Sequence, residues 1–461
     1  MTEQAELLVI GAGAAGVQAA RTAAGLGVQV TVVSAGEIGG TCVNSGCVPS
    51  NALLHAAQAY DRDGAGAAGF DLAGAHRAAA KVVSRVRGSV RHGLAAAGVR
   101  IIEGRATLRA PGTVSIQAPG GEFLLQASKT IIATGATTIL PPAAQAGQAG
   151  QAGQHRVLTS AGALALQQIP RSAIVVLGGH LGLEWATFLR HAGSDVTVIE
   201  EFATLRGVGD AEVAEYFSSL LEARGIAVLT GCRVASVEPS PGDVTITAEG
   251  PSGQSRHRAQ LALFADFRRA NSAGLGLADA GIDTDAQAAI VVDASLRTKA
   301  PAIWAAGDVT GGLMLAADAQ IEGAVAAENA CGAASILDRR FVPRALHTDP
   351  EAASVGLTEA QARASGADVI TGYAEYAGSV RALILGADQG VVKLICDAAT
   401  EEILGAAIVG AGAIELASLL SLAMRAELTV SELSRSSHAH PAMSELIAEA
   451  SRAVLASAIQ G

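Results

Sequence analysis

Aromatic and charged side chains are both scarce in this sequence. Phe, Trp and Tyr make up 3% of its 461 residues and charged residues 16%, whereas half are hydrophobic and 54 are glycine. Disorder is excluded, because so much apolar side chain offsets the entropy of ordering the backbone. Basic residues are outnumbered 32 to 43, and the net charge of −11 repels phosphate backbones, which argues against a nucleic-acid partner. Five cysteines are too few to staple so long a chain with disulfides. A clean membrane span is also missing: the most apolar window, around Gly405 to Leu428, is broken by Glu415 and several glycines and reads as core. The N-terminus carries Glu3 and Glu6 where a secretory leader would be basic. The expectation is a cytoplasmic protein with no membrane partner and reduced thiols, in which a closely spaced cysteine pair is a redox or metal candidate.

What the chain has instead is small residues in a repeated order. Leu7 to Ile10 lead into Gly11-Ala12-Gly13-Ala14-Ala15-Gly16, a helical pattern to about Gly27 and an apolar strand from Val28 to Val33. The same order returns as Ala173 to Leu177, the turn Gly178-Gly179-His180-Leu181-Gly182, a helix to about Ala192 and the strand Asp195 to Ile199. In such a turn one glycine makes the bend, one admits a pyrophosphate and one lets helix and strand pack closely, while the helix N-terminus stabilises the negative charge. The fold class expected is α/β, with two Rossmann-like dinucleotide-binding domains arising by internal duplication. Gly410-Ala411-Gly412-Ala413 lacks the third glycine and is set aside.

Further strands end at Ile131-Ile132-Ala133-Thr134-Gly135 and at Ile303-Trp304-Ala305-Ala306-Gly307-Asp308. The Ala-Gly-Gln repeat from Ala143 to His155 reads as a flexible surface loop. Beyond Phe341 the pattern changes to mixed strands, Gly390 to Cys396 and Ile403 to Val409, with helices around Ala413 to Ala426 and Met443 to Ala458. That predicts a separate C-terminal α+β domain. At roughly 150 residues per domain the length suits about three domains.

Cys42 and Cys47 follow Gly39-Gly40-Thr41 directly, and the four residues between them let the sulfurs close a small ring. A helix expected near Pro49 would favour a thiolate through its positive end. The pair reads as two buried cysteines or as a dithiol exchanging electrons with a cofactor. A metal site would want a second Cys/His pair at ligand spacing, which is missing. In His440-Pro441-Ala442-Met443-Ser444-Glu445 the histidine is either a surface residue at a helix start or an imidazole oriented by Glu445.

Taken in order, the segments GGTCVNSGCVPS, ATGA, GLE, AAGDVTGG, TDPEAASVGLTE and HAHPAMSEL resemble the FAD-dependent pyridine-nucleotide disulfide oxidoreductases. That family includes dihydrolipoamide dehydrogenase, glutathione reductase and mercuric reductase, and the likeness runs over essentially the whole chain. Dihydrolipoamide dehydrogenase is the nearest pattern, since a mercuric reductase would end in a cysteine pair and this sequence ends Ser457-Ala458-Ile459-Gln460-Gly461. The resemblance implies an FAD domain in two parts (1–150 and 273–340), an NAD-type domain (151–272) and a dimerisation domain (341–461) in a homodimer. It implies FAD contacts at Gly11, Gly13, Gly16, Ser34, Gly40, Thr41, Asn51, Thr134, Gly135, Gly307 and Asp308, and further cofactor contacts at Gly178, Gly179, Gly182, Glu184 and Glu200. By the same resemblance Cys42 exchanges with a dithiol or disulfide substrate, free or carrier-borne, and Cys47 faces the flavin. His440 of the partner subunit, oriented by Glu445, would be the acid/base that makes the attacking thiolate.

Four positions depart from the family pattern. Asn51 stands where a lysine normally pairs with the glutamate corresponding to Glu184, so Glu184 is expected to lose its ion partner. Leu177 replaces the first glycine of the second turn; leucine resists positive φ, and its side chain is expected to crowd a pyrophosphate. Phe267 replaces a strand-end glycine and would put a ring where the nicotinamide nucleotide should lie. Ser34 replaces the acid that ends the second FAD strand and could still hold a ribose hydroxyl. Three of the four fall on the nicotinamide side, although Glu200 still suits the ribose of NAD. Two enzymes remain in view: a dihydrolipoamide dehydrogenase-like oxidoreductase that passes electrons to NAD, and a dithiol oxidase or specialised biosynthetic flavoprotein with a degraded NAD site, reoxidised by O2. A non-catalytic flavin-binding subunit is disfavoured because Cys42, Cys47 and His440 are all present.

Overall fold

A computed structural model describes residues 2–62, 64, 69–146, 156–179 and 181–460. They fall into two compact units, Met1–Leu53 with Ala73–Ile139 and Arg268–Arg339, and Leu54–Leu72 with Leu140–Phe267 and Arg340–Gly461.

The first unit is organised by β1 (Thr2–Ile10), α1 (Ala14–Gly25) and β2 (Val30–Ser34). Strand β1 lies between β2 and Gly121–Ile132, parallel to both, with Leu7 opposite Val30 and Ile10 opposite Ile132. Ile303–Ala305 adds a further parallel strand beside Gly121–Ile132. Leu7, Leu8 and Val9 are fully buried, as a parallel strand covered on both faces requires. Each such side chain contributes about 1.5–3 kcal/mol by leaving water. The scarcity of bulky residues has its reason in α1, which packs on the helix Ala316–Ala330. A Cβ at Gly323 would lie 2.2 Å from the Ala15 carbonyl oxygen, so the two backbones touch where a larger residue would force them apart.

The redox-candidate cysteines sit on two consecutive helices, α2 (Gly40–Ser45) and α3 (Cys47–Arg62). The helix expected near Pro49 therefore begins two residues earlier, on Cys47 itself.

In the second unit, β3 (Ser172–Leu177), α4 (Leu181–His191) and β4 (Asp195–Ile199) repeat the first motif. Strand β3 pairs in parallel with β4 and with β5 (Leu261–Ala265), and Ile226–Leu229 and Val157–Thr159 complete a five-stranded parallel sheet. After Arg340 comes the expected mixed region: a five-stranded antiparallel sheet that includes Val391–Asp397 and Ile403–Val409, packed on by the helices Ala413–Arg425 and Glu445–Gln460.

Lys393, 1% exposed, is held here by Asp210 and Glu212 at 2.9 Å and Glu359 at 2.7 Å. The apolar window near Gly405 is a strand end followed by an amphipathic helix. No helix among the described residues is long and apolar enough to cross a membrane. The loop expected from Ala143 starts differently, because Pro142–Ala146 forms a helical turn. The rest of that repeat, 147–155, lies outside the described residues.

Candidate functional site

Cys42 is half-buried within α2 and Cys47 is exposed at the first turn of α3; both are thiols. The hydrogen bond with the Cys47 side chain is the largest influence on Cys42 and brings its thiol down to about 7. Burial opposes that effect, the Cys47 backbone N–H assists it, and the charges of Asp308 and Arg268 act in opposite senses. The lowering raises the share of thiolate, the nucleophilic form, at neutral pH.

The loop carrying the pair is fastened by side chains that spacing alone did not single out. Asn44 donates its amide to the carbonyls of Ile38 (3.1 Å) and Gly40 (2.8 Å), and Arg87 donates to Asn44 Oδ1 at 2.9 Å. Asn51 donates Nδ2 to the Cys47 carbonyl at 2.9 Å.

The three glycines of the first turn divide the work by geometry. Gly11 has φ of +111°, and a Cβ there would lie 2.2 Å from the Ala133 oxygen. One at Gly16 would lie 2.0 Å from the Gly11 oxygen, whereas above Gly13 the nearest atom is 3.9 Å away. So Gly11 bends, Gly16 packs, and the face of Gly13 stays open. No side chain caps the N-terminus of α1. Gly40 turns its backbone onto Gly13, 2.5 Å from a Cβ position, and Thr41 follows it in α2.

At the end of β2 the buried Ser34 donates its hydroxyl to the Gly36 carbonyl at 2.8 Å. A cleft of about 560 Å³ opens there, lined by Ser34, Glu37, Arg91, Glu103 and Arg105. Thr134 and Gly135 are clamped by Asn271, which takes the Thr134 hydroxyl on its carbonyl (2.8 Å) and gives its amide to the Thr134 carbonyl (3.0 Å) and its N–H to Gly135 (2.9 Å). Gly307 donates its N–H to Glu322 at 2.6 Å; burial pushes that carboxyl up to about 7. Asp308 is likewise raised by burial, against the pull of Arg268 at 3.4 Å. An open glycine face, an uncapped helix start and a polar cleft at the end of β2 fit FAD.

The second turn keeps the counterparts of Gly13 and Gly16, at Gly179 and Gly182, and meets a different fate. Leu177 takes no positive φ, as expected of leucine, but its side chain does not project outward to crowd a pyrophosphate, contrary to expectation. It stays in β3 opposite Ala265, 3% exposed, with Cδ2 only 2.3 Å from a Cβ position on Gly182. The obstruction comes from the next strand. Asp266, at φ +64°, accepts the Leu181 N–H on Oδ2 at 2.5 Å, and the same oxygen lies 2.9 Å from a Cβ position on Gly179. The Phe267 ring comes within 3.0 Å of the equivalent point on Gly178.

Glu200, expected on a ribose, is fully buried. It accepts N–H groups from Phe202 (3.2 Å) and Arg206 (3.4 Å), beside the Arg206 guanidinium at 3.4 Å. These residues do not fit a nicotinamide dinucleotide. Glu184, expected to lack a partner, has one: His347 donates its N–H at 3.0 Å and places Nδ1 at 3.0 Å. That bond raises the imidazole above its ordinary value against the effect of burial. That partner is a histidine 163 positions away in the chain.

Near the C-terminus His440 Nδ1 lies 3.0 Å from Glu445 Oε1, and Glu445 Oε2 accepts the Ala442 N–H at 2.9 Å. These contacts hold the Glu445 carboxyl below its usual range, the Ala442 N–H first.

Comparison with known proteins agrees with this organisation. The family model for pyridine nucleotide-disulphide oxidoreductases matches residues 5–323, and the dimerisation domain of the same family matches 342–451. The dihydrolipoyl dehydrogenase of Chlorobaculum tepidum is 35% identical, covering 98% of this chain and 97% of its own. That of Bacillus subtilis is 34% identical over the whole of both chains. Among solved structures, LpdA of Mycobacterium tuberculosis superposes with a TM-score of 0.87 at 28% identity over 98% of this chain and 99% of its own. The HOCl-induced flavoprotein disulfide reductase RclA of Escherichia coli reaches 0.86 at 29% identity, with the same coverage. The chain therefore belongs to the pyridine nucleotide-disulphide oxidoreductases, and is a dihydrolipoyl dehydrogenase-like enzyme with FAD as its cofactor.

Proposed function

We propose that the protein oxidises a dithiol through the Cys42–Cys47 pair, and the observation that carries this is the placement of the two thiols on consecutive helices, Cys47 exposed at the start of α3 and Cys42 half-buried beside it with its thiol lowered by that partner. In the oxidised enzyme a substrate thiolate attacks Cys42, and Cys47 leaves as a thiolate. The second substrate thiol then displaces Cys42, so substrate gains a disulfide and the pair gains two electrons. His440 of the partner subunit takes the thiol proton, with Nδ1 held by Glu445 so that Nε2 faces substrate. Bound along Gly11, Gly13 and Gly16 and at Asp308, FAD supplies a two-electron acceptor for the reduced pair. Arg268, beside both Asp308 and Cys42, favours the thiolate.

The test is anaerobic addition of dihydrolipoamide and of small dithiols to the flavin-loaded protein, following flavin absorbance. Bleaching by the wild type and not by Cys42→Ser is expected, with turnover lower by about 10³-fold or more when the nucleophile is removed. Full turnover in Cys42→Ser would overturn the reading.

A second reading concerns the acceptor. The covered faces of Gly178 and Gly179 and the inward Glu200 favour dioxygen, reduced by two electrons and two protons to hydrogen peroxide, over NAD. Air should restore the bleached flavin with stoichiometric peroxide, and NAD should not. Rapid anaerobic recovery with NAD would overturn this second reading.

A further inference from the structure

A glycine turn opening onto a helix N-terminus is an anion site by construction: the glycine lets the anion approach the backbone and the first N–H groups point at it. In the second fold both features are engaged by one carboxylate, Asp266, through the Leu181 N–H at 2.5 Å and by an oxygen 2.9 Å from the point a Cβ on Gly179 would occupy. Its backbone sits at φ +64°, a region L-residues enter rarely and aspartate more readily than most. That conformation turns the end of β5 back over the glycine turn.

We propose that Asp266 is a built-in anion occupying the pyrophosphate position of the second fold, so that this fold is closed to NAD and NADP by the chain's own carboxylate. A phosphate approaching the turn would lose the Leu181 N–H to Asp266 and meet a like charge at contact distance, both of which oppose binding. Phe267 adds a steric barrier at Gly178, and Arg206 holds Glu200 away from any ribose. The inference rests on the acceptor reading above and deepens it by naming the group that keeps the nucleotide out.

The experiment is a fluorescence titration of the flavin-loaded protein with NADH, which reads binding and not turnover. Wild type, Phe267→Gly and Asp266→Gly/Phe267→Gly are compared. Glycine takes φ +64° freely, so the double variant removes the carboxylate and keeps the turn. Wild type should show no saturable binding, and the double variant should bind NADH about tenfold or more tighter than Phe267→Gly, the scale of one like charge removed from a site.

If the double variant binds no better than Phe267→Gly, the role of Asp266 is overturned and the acceptor reading stands. If wild type binds NADH saturably, both fall. Asp266→Asn/Phe267→Gly, which keeps a side chain able to take positive φ, repeats the comparison should the glycine variant fold poorly. An affinity no better than that of Phe267→Gly there also overturns the proposal.

Discussion

The two glycine turns of this protein share their second and third glycines, Gly13 with Gly179 and Gly16 with Gly182, and are opposite in structure. Among the described residues, nothing in the first comes within 3.9 Å of the position above Gly13; in the second, a carboxylate oxygen stands 2.9 Å from the equivalent point on Gly179. The difference teaches that glycine permits a cofactor's approach without establishing one. What decides is whether a side chain from a neighbouring strand reaches over the turn. The comparison can be broken from the first side by giving Gly13 the condition of Gly179. Gly13→Asp places a carboxylate over the uncapped start of α1. It is expected to purify essentially without flavin, measured as the flavin-to-protein absorbance ratio, and to lose all turnover with it. Normal flavin content in that variant would show that a carboxylate over a glycine turn does not exclude a dinucleotide here.

Much of this was legible in the sequence, and the part that was not has a common cause. Strand, turn and helix around Gly11 and Gly178 follow from local pattern, as do the cysteine pair and the contact between His440 and Glu445, five residues apart. The expectation at Leu177 failed because a strand residue alternates between faces, and the pleat turned this one inward onto Gly182. The partners of Glu184 and Leu181 stand 163 and 85 positions away, beyond the reach of any spacing argument. One signal was present: Asp266 directly follows the wholly buried strand Leu261–Ala265, and a carboxylate there must find a donor.

The contrast extends to what packs inside each unit. Close helix contact through small residues serves the first, at Gly323 against Ala15, while the second contains the charge cluster around Lys393. Lys393→Met removes the cation and leaves Asp210, 5% exposed at its side chain, without its ion partner. A loss of about 3 kcal/mol is expected, at the lower end for a broken buried pair because Glu212 and Glu359 reach solvent. Denaturant melts would check it. A change below about 0.5 kcal/mol, the range of an ordinary surface substitution, would show that the cluster is not a structural tie.

On the first unit's side, the pH at which Cys42 reacts reports on its partner. Alkylation by iodoacetamide, followed at Cys42 by peptide mass, should rise with pH through a midpoint of about 7 and then level off, because only the thiolate reacts. In Cys47→Ala the largest stabilising influence is gone, and the midpoint should climb toward the ordinary thiol value. An unchanged midpoint would shift the credit to the backbone N–H of residue 47, which the variant keeps, and to Arg268.

The smallest effect is expected at His347, which pairs with the buried Glu184 of the second unit. The pair with Glu184 raises the imidazole, so its stabilisation is fully present below the unfolded histidine value of about 6.5 and is lost as pH rises through the raised folded value. His347→Gln keeps a hydrogen-bond donor for Glu184 but no charge. It should therefore be less stable than wild type near pH ~5 and equal to it near pH ~9. With the His347 side chain 48% exposed, solvent screening limits the difference to about 0.5–1 kcal/mol. A difference of the same size at both pH values would mean that packing, and not the imidazolium, is what Glu184 gains from this histidine.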